Sequence, residues 1–96
     1  MQYKKGKNRL EVVMTGDFNL NAARKIGNLL KERRELWIDL KHSHFVNSKA
    51  TIFLHNLMQK DPPVKVRLKN PPKVFFELLT TLGLQQSWVL DEIIEP

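Results

Sequence analysis

A single α/β domain built on a small mixed sheet is predicted by three features of the sequence. Five short apolar or alternating stretches read as strands, and three amphipathic stretches read as helices. After an opening hairpin the two kinds alternate, the arrangement that produces a mostly parallel sheet. The expected order is ββαβαβαβ, with an N-terminal hairpin and helices packed on the sheet. The 96 residues have room for one domain, expected over residues 1–96, and the connections are short enough for it.

Gln2 to Lys5 reads as the first strand. Gly6-Lys7-Asn8 supplies residues that tolerate the positive φ of tight hairpins. Leu10 to Thr15 is β-branched and apolar, and Gly16-Asp17 ends it. Asn19 or Asn21 caps a helix in which Leu20, Ala23, Ile26, Gly27 and Leu30 share one face. That helix is expected to run to Arg33-Arg34, where cations suit the negative end of its dipole. Leu36 to Leu40 is apolar enough for a central strand. Asn47 or Ser48 caps the next helix, which turns Ala50, Phe53, Leu54, Leu57 and Met58 inward until Asp61-Pro62-Pro63 stops it. Val64 to Leu68 alternates with period two, as a strand with one wet face does. Asn70-Pro71 opens a helix through Phe75, Leu78, Leu79 and Leu82, closed by Gly83 as a C′ residue. Trp88 to Leu90 reads as a last short strand.

The formal net charge is +6, and it is uneven. Through Lys60 the chain holds 12 basic and 5 acidic residues, and from Asp61 onward 4 and 5. Such a basic half suits an acidic protein, nucleic acid or an anionic membrane surface, and equally a plain solvated face. With no cysteine, disulfides, thiolate chemistry and Cys-ligated zinc are excluded. The opening Gln2 to Asn8 is polar and no apolar run reaches membrane-spanning length, so a cytoplasmic domain is expected.

No catalytic constellation is legible. His42, His44 and His55 match no metal-ligand spacing, so no metal is expected. Gly6, Gly16, Gly27 and Gly83 are isolated and build no phosphate loop, so no cofactor is expected. Ser43, Ser48 and Ser87 sit in no nucleophile elbow. Most aromatics fall on expected core faces rather than interleaving with cations as nucleic-acid stacking requires. The segment Phe45-Val46-Asn47-Ser48-Lys49-Ala50 lies instead between a parallel strand and a helix start, the edge at which open α/β sheets bind partners.

The opening hairpin, Thr15-Gly16-Asp17, the strand Leu36 to Leu40, Phe45-Val46-Asn47-Ser48 and Leu82-Gly83-Leu84 together resemble the STAS domain, the family of bacterial anti-sigma factor antagonists. The resemblance covers nearly the whole chain. It implies a STAS-like sheet backed by helices, no catalysis, and docking to a regulatory protein such as an anti-sigma factor that is also a serine kinase. Asn47, Ser48, Lys49 and Ala50 then form the partner-binding segment. The family switch is Asp-Ser-Ser/Thr-Gly, and in register Lys49 takes the place of the phosphoacceptor hydroxyl while Ala50 replaces the glycine. The resemblance therefore implies docking without the phospho-switch. The chain closes soon after Trp88 to Leu90, leaving little room for the terminal helix common in the family. Two other roles stay open: a STAS-like cytoplasmic subunit of a membrane transporter, and a basic nucleic-acid-binding domain.

Overall fold

Alternation along the strands decides how the sheet faces. The computed structural model describes residues 1–95; Pro96, the last residue of the expected domain, lies outside the described residues. The elements are β1 (Gln2–Lys5), β2 (Arg9–Val13), α1 (Leu20–Leu30), β3 (Glu35–Asp39), α2 (Ser48–Met58), β4 (Lys65–Lys69), α3 (Lys73–Thr81), α4 (Leu90–Ile93) and β5 (Ile94–Glu95). The strands lie in the order β1-β2-β3-β4-β5. β1 runs antiparallel to β2, and every later pairing is parallel. The fold class expected from the sequence is the one found.

Because each parallel crossover steps one strand in the same direction, right-handed connections place the helices on one face of the sheet. Leu10, Val12, Leu36, Ile38, Val66 and Leu68 point to that face and are buried. Ala23, Ile26 and Leu30 of α1, Leu54 of α2, and Phe75 and Leu79 of α3 close the layer over them. The alternate residues form the bare face. There the Arg9 guanidinium lies 3.9 Å from the centre of the Trp37 ring while also pairing with Glu35 at 2.8 Å, and Arg67 flanks the ring at 5.4 Å. At Gly27 α1 packs tightly on α2, since a Cβ there would stand 3.0 Å from the Phe53 ring.

Several boundaries depart from the sequence reading. The hairpin closes without positive φ at Gly6 or Asn8. The Gly6 amide donates to the Arg9 carbonyl at 2.7 Å, and Asn8 Oδ1 accepts from the Arg34 amide. α1 stops at Leu30 because Lys31 turns to φ 51°, though Arg33 still donates to the Leu29 carbonyl at the helix end. α3 begins at Lys73 after Pro72 rather than at Asn70. Asn70 takes φ 53° instead, and its amide donates to Asp39 at 3.2 Å. Gly83 does end α3, at φ 71°, with Gly83 donating to Thr80 and Leu84 to Leu79 as a Schellman cap requires.

The largest correction is at the C-terminus. Trp88 to Leu90 is not a strand. The Trp88 ring is buried 5.7 Å from that of Phe75, and its Nε1–H donates to His55 Nδ1 at 3.1 Å. The short α4 follows, with Asp91 and Glu92 in its first turn, and the last strand is Ile94–Glu95, paired with Leu68 and Lys69. Among the described residues, no helix is long and apolar enough to cross a membrane.

Candidate docking site

Two loops leave the carboxyl ends of β2 and β3 on the same edge, and polar contacts fasten them together. Asp17 Oδ1 accepts from the amides of His44 at 3.0 Å and Phe45 at 3.1 Å, while Ser43 Oγ donates to the Gly16 carbonyl. Phe18 and Val46 then form a parallel bridge, in which the Phe18 amide donates to the Phe45 carbonyl and the Asn47 amide to the Phe18 carbonyl at 2.8 Å. Buried Phe18 and Val46 anchor the bridge below. Thr15-Gly16-Asp17 and Phe45-Val46-Asn47-Ser48, far apart in sequence, thus become one structural unit.

The bridge sets the N-termini of α1 and α2 side by side. Asn19 caps α1, its Oδ1 accepting from the Ala22 amide at 2.9 Å, and Asn47 caps α2, accepting from the Lys49 amide at 2.8 Å. An open cleft of about 400 Å³ lies between them, bordered by Asn19, Leu20, Asn21, Asn47, Ser48 and Lys49. Beyond it, a second cleft of about 530 Å³ runs past Phe45 and Val46 to Val74 and Leu78 of α3.

Of the four residues expected at the site, Asn47 and Lys49 are exposed and Ser48 is half-buried at the first position of α2. Ala50 is fully buried in the core and faces away from any partner. The cap also occupies Asn47, so its side-chain oxygen serves the helix before it serves a ligand. Sequence reasoning placed Phe45 in this segment but not among its partner-binding residues, and it is 65% exposed although aromatics are usually recruited to interiors. Asp17 was legible only as a turn residue, and its role as the clamp on the second loop depends on a contact 27 residues away.

The nearest perturbed carboxyl is Asp39, at the end of β3. Burial pulls it upward, but the Lys41 amide, the Asn70 side chain and the charges of Lys41 and Lys69 together outweigh burial and hold it below its ordinary value. His42 and His44 are exposed, and among the described residues no three His, Asp or Glu side chains converge as metal ligands. The arrangement offers shape, one apolar side chain, helix caps and a cation. No protein-family model matches the chain, and no curated protein matches its sequence.

Proposed function

We propose that the chain is a non-catalytic regulatory module of the STAS kind, which docks a protein partner through the edge formed by Phe45 and Asn47 to Lys49. The observation that carries this reading is Phe45, held out into solvent by the Asp17 clamp beside a cleft whose far wall is apolar. An exposed aromatic on a rigid platform, rimmed by polar groups, is the usual anatomy of an interface anchor. Lys49 stands on the rim with no hydroxyl to receive a phosphate, so the partner reads a fixed positive charge rather than a switched negative one. A regulatory protein with an acidic patch around an apolar pocket fits this surface. The resemblance to anti-sigma factor antagonists makes an anti-sigma factor or related kinase the first partner to try.

The test is a pull-down with wild type beside Phe45→Ala and Lys49→Glu, followed by calorimetry on the purified binder. Phe45→Ala is expected to weaken binding by about 2 kcal/mol or more, as loss of an interface anchor does. Lys49→Glu is expected to weaken it by roughly 1–3 kcal/mol, since it exchanges an attraction for a repulsion. Equal affinities for all three proteins would remove this edge from the interface.

A further inference from the structure

At the opposite end of the molecule, the hairpin turn, the segment after α1 and the segment entering β4 come together at the amino ends of the parallel strands. They are tied by hydrogen bonds: the Arg34 and Glu35 amides donate to the Asn8 carbonyl, the Lys65 amide donates to the Arg34 carbonyl at 2.7 Å, and the Arg33 side-chain Nε donates to the Gly6 carbonyl at 2.7 Å. Residues 4–9, 31–35 and 59–65 hold nine Lys and Arg against three Asp and Glu, while the rest of the chain holds seven of each. The whole net charge of +6 therefore sits at this one end.

The fold itself uses few of these cations. Arg9 pairs with Glu35, and Arg33 serves two carbonyls. Among the described residues, Lys5, Lys7, Lys31 and Arg34 have no carboxylate within ion-pair distance, and all four are exposed. Neutral carbonyl ends of α1 and α2 account for some attraction to cations, but not for eight cations that have no ion-pair partner among the described residues.

We propose that this end docks on an anionic lipid bilayer, held by electrostatics without insertion. A cluster of Lys and Arg on loop tips is the feature such a surface selects. Nucleic acid fits less well. Among the described residues Phe45, Ile52 and Phe76 belong to the other end, and Val89, which shares a cleft with Gln59, Val64 and Lys65, has no ring to stack on, so Tyr3 alone makes no stacking platform. The helices also meet it with their C-termini, whereas phosphates are gripped by N-termini. The docking edge at Phe45 and Lys49 lies at the far end of the same strands, so the two surfaces can be occupied together, and neither depends on the other.

The experiment is co-sedimentation with vesicles of phosphatidylcholine alone and of phosphatidylcholine with phosphatidylserine as about a third of the lipid. Two variants lose the same four charges: Lys5, Lys7, Lys31 and Arg34 to Gln at the basic end, and Arg24, Lys25, Lys41 and Lys73 to Gln elsewhere. Wild type is expected on the anionic vesicles only, and to be released by high salt. Partitioning falls about fivefold for each interfacial cation removed, so the first variant loses binding on the order of several hundredfold while the second keeps most of it. No binding to anionic vesicles, or equal loss in both variants, overturns the proposal. So does displacement from the vesicles by short duplex DNA at equal phosphate concentration, which would make this end a nucleic-acid surface.

Discussion

The two faces of the sheet carry the same backbone ladder and opposite chemistry. On the helix side, Leu10, Val12, Leu36, Ile38, Val66 and Leu68 are at most 2% exposed and meet other apolar side chains. On the bare side, their sequence neighbours build a polar lattice around Trp37, and that lattice is incomplete. Trp37 Nε1 and Arg67 Nε are shielded yet have no hydrogen-bond partner among the described residues. Stability therefore resides in one face, whereas the other is tuned for contact with water and tolerates imperfection. Burial of apolar area dominates, and half-exposed ion pairs add little.

The sharpest way to break this comparison is Ile38→Ala in the middle of β3. A loss of about 2–5 kcal/mol is expected from chemical denaturation, the range for large-to-small changes in a core. A loss under about 0.5 kcal/mol would mean the covered face does not hold the fold.

A finer test uses two identical residues side by side on β2. Val12 is buried and Val13 half-exposed on the opposite face. Val12→Ala removes two methyl groups at about 0.8 kcal/mol each plus a cavity contribution, giving about 2–3 kcal/mol. Val13→Ala is expected to lose less than about 1 kcal/mol. Equal denaturation midpoints for the two variants would erase the asymmetry.

The smallest expected effect is electrostatic and belongs to the bare face. Asp39 is held below its ordinary value in the folded protein, so it adds stability at a pH above the usual carboxylate range near ~4. That contribution is lost as pH falls through the lowered folded value. In urea titrations, wild type is expected to exceed Asp39→Asn slightly at neutral pH, with the gap closing in acid. Water reaches this half-buried carboxyl and screens it, so the gap stays small. A gap that widens on acidification would mean that folding raises the Asp39 value instead of lowering it.

What the sequence made legible follows from how local each determinant is. Val64 to Leu68 announces its strand by alternation alone, and Asn47 and Gly83 mark helix ends because caps need particular residues at fixed positions. Trp88 misled because Trp-Val-Leu has strand character, while the partners that bury its ring, Phe75 and His55, lie 13 and 33 residues away. Asn70 gave the right residue type for a cap, yet its side chain is drawn to Asp39 across the sheet edge. At the docking edge, the caps could be read from the sequence. The exposure of Phe45 could not, because it depends on Asp17 fixing the loop from another strand.

The strand order described above bears on how the chain assembles. Every strand pairs with its neighbours in sequence, and no pairing skips a strand. A chain made from its N-terminus forms the hairpin first and then presents each new strand with an edge already waiting. Only the hairpin is local: the parallel pairings join residues 26 to 30 apart, such as Arg9 with Glu35 and Glu35 with Lys65, so their loop closure slows folding relative to a helical bundle. Ile94 and Glu95 pair only with Leu68 and Lys69, so Lys65 to Arg67 have no strand partner on that edge, and the charges of Lys65 and Arg67 discourage edge-to-edge association there.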